Sequence, residues 1–157
     1  MPARRLRQLS SAPSMPQILI RLQHEAEKIL GDLLQSCTRI AVLDVTDRHD
    51  AGDALTALGT LHLMSRLGKK VVCIQSSGTY DPGKLRQARP DCILIQGGSC
   101  PAGFTARLQH RAQIVGDLHD IKMIQLPQSV YSQDEHLTLY TDAMRAHRDF
   151  TALVPEK

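Results

Sequence analysis

A chain of 157 residues is one domain's worth of sequence, and at this length folding buries about 68–70% of the extended surface. Its 19 Lys+Arg against 16 Asp+Glu leave a net charge of +3, and aromatics are 3% of the residues; without a stacking platform this argues against nucleic acid as a partner. No stretch is long enough without charge to span a bilayer. No apolar run precedes Pro13 and Pro16, so these residues are not expected to act as a secretory signal.

Residues 1–16, with three arginines in "MPARRLRQ", read as a flexible N-terminal tail. Residues 17–157 read as a single α/β domain. In "QILIRLQHEAEKILGDLLQSC" (17–37), Ile18, Leu22, Ala26, Ile29, Leu33 and Leu34 fall on one stripe of period 3.6, which predicts an amphipathic helix. "RIAVLDV" (39–45) is a short apolar run suited to a strand buried on both faces. A helix follows over "DALTALGTLHLMSRLG", ended by Gly68, then a strand over 70–76. Asp81 and Pro82 open a short helix over 82–88. The rhythm continues with a strand at 91–96, a helix at about 103–117, a strand at 121–126, a helix at 132–147 and a fifth strand at 149–154. Strands alternating with helices predict a Rossmann/flavodoxin-like parallel sheet of about five strands with helices on both faces.

Ligands of such sheets bind at the carboxyl ends of the strands, so the loops there are the candidates. After the first strand, "TDRHDAGDA" holds His49, a group that titrates near neutral pH, and Asp50, Gly52 and Asp53 at a helix start. Asp53 is also a candidate N-cap. After the third strand, "QGGSCPAGF" offers Gly97, Gly98 and Ser99 as a backbone-lined cradle, with Cys100 as the cysteine placed for exposure. After the fourth, "QLPQSVY" presents Gln128 and Ser129 behind Pro127. Each loop also reads as an ordinary turn. The loop "QSSGTYD" (75–81) carries little further signal.

Arg107 and Arg111 lie one turn apart on one helix face, suited either to clamping a carboxylate or phosphate or to solvation. His62 reads as packed or at an interface, and His24, His119, His136 and His147 as surface residues. The four cysteines form no C-x-x-C pair, and no histidine stands at metal-ligand spacing. No metal is expected. Cys73 and Cys92 sit in strand-like runs as small hydrophobes, which suits reduced thiols and a cytoplasmic location.

Taken in order, "AVLDV", "HDAGDALTALGTLHLMSRLGKKVVCI", "PDCILIQGG", "IQLPQSVY" and "AMRAHRDFTALV" resemble the polysaccharide pyruvyl transferase family. The resemblance covers about positions 38 to 154. It implies polysaccharide biosynthesis: transfer of a pyruvyl group from phosphoenolpyruvate onto a sugar hydroxyl as a ketal, with no other cofactor. It further implies a GT-B-like two-domain fold, of which this chain matches the N-terminal Rossmann-like half, the other being a missing second domain or a partner. Carried onto this sequence, the family's site falls on His49, Gly52, Asp53, Gly97, Gly98, Arg111, Gln128 and Ser129, with His49 and Asp53 as candidate acid and base. Asp50 stands at the family's usual asparagine, and Ser99 and Cys100 replace a glycine and an asparagine. The alternative is a non-catalytic Rossmann-like binding or oligomerisation module, a homo-oligomer covering the open wall of the cleft.

Overall fold

The protein is described from a computed structural model, over residues 14–46, 51–97, 104–127 and 135–153. In chain order the elements are α1 (Met15–Leu33), β1 (Arg39–Val45), α2 (Ala51–Arg66), β2 (Lys70–Ser76) and α3 (Pro82–Ala88). They continue with β3 (Cys92–Ile95), α4 (Phe104–Asp117), β4 (Lys122–Gln125), α5 (Glu135–Ala146) and β5 (Phe150–Ala152). Helix α1 belongs to one compact unit and everything from Leu34 onward to a second.

Within α1 the polar side is laced by pairs one turn apart, such as Arg21 to Glu25 at 2.9 Å. The apolar stripe forms as its spacing predicts, yet Ile18, Leu22 and Ile29 remain 37%, 56% and 49% exposed. Periodicity fixes which residues share a face, not that the face is covered.

The second unit is a five-stranded sheet in the order β2-β1-β3-β4-β5, parallel throughout. This is the flavodoxin-like order, and it reverses direction between β1 and β3. Right-handed crossovers put α2 on one face and α3, α4 and α5 on the other. On the α3–α5 face, Ala41, Leu43, Ile93, Ile95 and Met123 of the strands pack with Leu85, Leu108, Ile114, Val115 and Tyr140 of the helices. The central strands are buried along nearly their whole length. Continuous apolar runs such as "CILI" therefore suit a sheet covered on both sides.

Local chemistry sets the element ends. Gly68 takes φ +66°, which lets Lys69 N–H reach the Met64 carbonyl at 2.9 Å and Gly68 N–H reach that of Ser65 at 3.0 Å, a Schellman close to α2. The Asp81 carboxylate accepts from Lys84 N–H at 3.0 Å ahead of Pro82, capping α3. At the amino ends of the strands, one Asp91 oxygen accepts from Thr38 N–H, Thr38 Oγ1 and Arg39 N–H at 2.8, 2.9 and 2.9 Å. These bonds hold its carboxyl below the usual range. Cys37, Cys73 and Cys92 are free thiols, and burial pushes Cys73 and Cys92 upward, as inert core cysteines require. No helix among the described residues is long and apolar enough to cross a membrane.

Candidate functional site

The carboxyl ends of β1, β3 and β4 are drawn together by backbone bonds, Gln96 N–H to Leu43 O at 2.9 Å and Leu126 N–H to Ile95 O at 3.0 Å. Gly97 and Pro127 then meet so closely that a Cβ on Gly97 would overlap the Pro127 carbonyl. Only a residue without a side chain fits there. Gly97 and Pro127 thus lie side by side at this edge of the sheet.

One residue at this edge departs from strand geometry. Leu43 pairs with Gln75 and Val45 with Ser76, so Asp44 is the extra residue of a β-bulge, with φ +61°. Alternation from Leu43 would send its side chain to the α2 face; the left-handed bulge re-aims it toward α4. There one Asp44 oxygen accepts from Arg107 Nε at 2.7 Å and from Arg111 Nε at 2.5 Å. Arg107 also donates to the Asp44 carbonyl at 3.1 Å, and Arg111 to the Gln96 carbonyl at 2.7 Å. The two arginines do share a face and do clamp a carboxylate: the chain's own. Arg111 is 1% exposed and Asp44 4%. Burial of this kind is tolerated because each charge keeps charge-assisted partners. Strain at the bulge, of about 1–3 kcal/mol for a non-glycine left-handed residue, is offset there too.

A second polar set lies alongside. Tyr140 donates its hydroxyl to Gln125 Oε1 at 2.7 Å, and Gln125 Nε2 donates to the Leu126 carbonyl at 2.8 Å. Burial pushes the Tyr140 hydroxyl well up, so it stays a neutral donor. Across the edge, both amide atoms of Gln96 are buried and bond to nothing among the described residues.

His110, between the two arginines on α4, stacks edge-on against Tyr80 with ring centroids 5.1 Å apart, and its Nε2 is buried with no hydrogen-bond partner among the described residues. Burial is the first cause that pulls it below its ordinary 6.5; Arg111 and Arg107 pull the same way and Asp44 opposes. The folded state therefore binds fewer protons than the unfolded chain once pH falls below about 6.5, and stability drops with pH in that window. The carboxylates act lower: Asp120, held at about 2 by Arg86, loses its contribution only below the ordinary 3.8. Urea midpoints at about pH 7.5 and about pH 5.5 check the sign. The midpoint falls in the native protein and falls distinctly less in His110→Phe; equal slopes would remove His110 from the account.

Of the candidate residues, Gly97 stands at the β3 end and Arg111 beneath the β1 end. Gly52 and Asp53 lie in the first turn of α2, where an acidic side chain favours the helix. Asp53 is thus inside the helix and not its cap. His49, Asp50, Gly98, Ser99, Gln128 and Ser129, with Cys100, lie outside the described residues. The 75–81 loop is internally satisfied: Gln75 Nε2 donates to the Asp81 carbonyl and its Oε1 accepts from Asp81 N–H. His62 is exposed. His147 is buried, not at the surface: its Nδ1 accepts from Asp149 N–H at 3.0 Å, which leaves Nε2 to donate to the Leu118 carbonyl at 3.4 Å. Among the described residues no cluster of His, Cys, Asp and Glu could hold a metal ion.

No family model matches the chain, and no curated protein matches it. Among solved structures it is similar to a novel cobalamin-binding protein from Desulfitobacterium hafniense DCB-2. The TM-score is 0.44 at 16% identity, over 83% of this chain and 63% of that one. This chain therefore spans less than two thirds of that protein's length.

Sequence reasoning passed over Asp44 and Gln96. A signal for Asp44 was present: one carboxylate inside an otherwise apolar strand, and two arginines four residues apart on a later helix. Gln96 carried none beyond being polar at the end of "CILI".

Proposed function

We propose that the chain is a polysaccharide pyruvyl transferase-like protein that moves a pyruvyl group from phosphoenolpyruvate to a sugar as a ketal, working with a second domain or partner. The observation that supports this reading is that β1, β3 and β4, each followed in sequence by a candidate loop, are neighbouring strands. The segments after β1, β3 and β4 all leave from the carboxyl edge where the strand order reverses, which is where open α/β sheets bind their ligands. The start of α2 lies beside the first of these segments, and a helix start favours an anionic donor.

In the reaction, the methylene carbon of the donor takes a proton and becomes a methyl group. Two sugar hydroxyls give up their protons as their oxygens bond to the former enol carbon; one proton replaces the one that the methylene carbon takes, and the other leaves with the phosphate as its C–O bond breaks. His49 and Asp53 are the groups proposed to move these protons. Gly52, Asp50, Gly97, Gly98, Ser99, Gln128 and Ser129 would line the donor pocket. Arg111, with its guanidinium held by Asp44 and the Gln96 carbonyl, would position the β1 end in this scheme. His49→Ala and Asp53→Ala are each expected to lower phosphate release by about 10²–10⁴-fold. The assay supplies phosphoenolpyruvate and a panel of oligosaccharides with free hydroxyl pairs, and the variants are expected to unfold as cooperatively as the native chain. Unchanged turnover in both variants would sink the assignment of these residues.

A binding and oligomerisation module is the second reading, supported by the apolar side chains that α1 exposes at Met15, Leu19, Ile20 and Leu22. A stable oligomer indifferent to phosphoenolpyruvate would favour it.

A further inference from the structure

Resting on the transferase reading, we propose that the side-chain amide of Gln96 binds the sugar, holding a pair of its neighbouring hydroxyls. Three glutamines stand at the carboxyl ends of strands: Gln75 in β2, Gln96 just past β3 and Gln125 in β4. All three are buried, and the fold satisfies two of them. Gln75 exchanges a pair of bonds with the backbone of Asp81. Gln125 accepts from the Tyr140 hydroxyl and donates to the Leu126 carbonyl. Gln96 is the most buried of the three, at 3% exposure. Yet neither its Nε2 nor its Oε1 has a hydrogen-bond partner among the described residues. A buried amide left unpaired is costly, so the one exception calls for a partner from outside the fold.

Direction separates Gln96 from the other two. Cys73 and Met123 pack on the α3–α5 side, and Gln75 and Gln125, each two residues further on, face the same way. Gln96 follows Ile95, which belongs to that core, so alternation turns it to the α2 side. Its backbone is held on every side. The N–H donates to the Leu43 carbonyl at 2.9 Å, the carbonyl accepts from Arg111 at 2.7 Å, and Gly97 is pressed against Pro127. The side chain is bonded to none of these. Turning outward would cost Gln75 or Gln125 at least two hydrogen bonds, but it costs Gln96 none. A ligand at the rim, where the strand order reverses, can therefore draw this amide out from a fixed base.

The amide also selects its ligand. It carries an acceptor oxygen beside a nitrogen with two donors, and its complement must both give and take a proton. Phosphoenolpyruvate in its ionised form has oxygens that only accept. It would satisfy Nε2 and set negative charge against Oε1. Two adjacent sugar hydroxyls satisfy both atoms, one donating to Oε1 while the other accepts from Nε2. The edge of a planar heterocycle offers the same pairing but also needs a ring to stack on. Tyr80, Tyr140 and Phe150 all pack on the opposite, α3–α5 side. Of the two substrates of the proposed reaction, Gln96 is thus matched to the neutral one.

The test titrates the full chain with the methyl glycosides of glucose, galactose and mannose. The side-chain amide signals of Gln96 are followed by NMR and assigned by their loss in Gln96→Met. Saturable shifts are expected with at least one glycoside, and none with its fully O-methylated form, which accepts but cannot donate. In Gln96→Met, sugar affinity read at the Gly97 amide is expected to fall about tenfold or more, and phosphoenolpyruvate affinity to change less than about twofold. The urea midpoint of that variant without ligand is expected to equal or exceed that of the native chain, since an apolar side chain of similar size relieves an unpaired amide. A clearly lower midpoint would overturn the proposal, because the amide would then be satisfied inside the fold, by a buried water or otherwise. Equal sugar affinity in the variant would overturn it too, as would the absence of saturation with every glycoside up to about 10 mM. The transferase reading fails separately. Sugar binding that depends on Gln96, with no phosphate released from phosphoenolpyruvate, would keep the sugar site and remove the transfer.

Discussion

Asp44→Asn is expected to destabilise the fold by about 3–5 kcal/mol, the cost of leaving a buried charge without its counter-ion. Asparagine suits the test because it tolerates the left-handed backbone that Asp44 occupies at φ +61°. The substitution therefore isolates the charge from the backbone. What remains is Arg111 at 1% exposure, with Arg107 beside it and no carboxylate between them. Urea unfolding measures the loss. A double variant, Asp44→Asn with Arg111→Met, is expected to recover much of it, because a hydrophobe of similar length replaces the buried cation that Asp44 had neutralised. A loss below about 1 kcal/mol in the single variant would mean that the three side chains do not form a dry cluster in solution.

Gly97→Ala is the second large effect, at the upper end of the about 1–3 kcal/mol that overpacking costs. The added methyl would overlap the Pro127 carbonyl and crowd the Leu126 backbone. Backbone atoms cannot swing aside as a flexible side chain does, so the departure points after β3 and β4 must separate. Gly59→Ala supplies the control. A Cβ at Gly59 meets nothing within 4 Å and α2 is helical there, so that variant is expected to gain about 0.5–1 kcal/mol. Under the transferase reading Gly97→Ala also weakens phosphoenolpyruvate binding, while Gly59→Ala leaves it alone. Equal stability in the two variants would show that the close approach is not maintained.

Much of this architecture is written locally. Strand β1 occupies 39–45 and β2 occupies 70–76, as their apolar runs and bounding polar residues predict. Asp81 with Pro82, and Gly68, mark helix ends for stereochemical reasons that need no tertiary partner. Strands β3, β4 and β5 come out shorter than their apolar runs, since a ladder ends where its neighbour's does. What the sequence conceals is direction. That Arg107 and Arg111 share a face follows from their spacing; that the face turns inward depends on a bulge in β1, which no local period announces. His147 has the look of a surface histidine until β5 folds back and places Phe150 against it. The apolar stripe of α1 is legible as a stripe, but its exposure is not. For the candidate site, the sequence points through its loops to the carboxyl edge of the sheet, and leaves unread the carboxylate that organises that edge.

The Asp91 clasp has a bearing on how such a chain can change. It stitches the amino ends of β1 and β3 together using Thr38 and Arg39, at the rim opposite the candidate loops. The amino rim thus has a source of cohesion of its own, apart from the Asp44 cluster at the carboxyl rim. A scaffold clasped in this way lets residues at the opposite rim change without asking the amino ends of β1 and β3 to find a new register. Change at the carboxyl rim is then constrained by Gly97 and the Asp44 cluster, and not by the register of the strands at their amino ends.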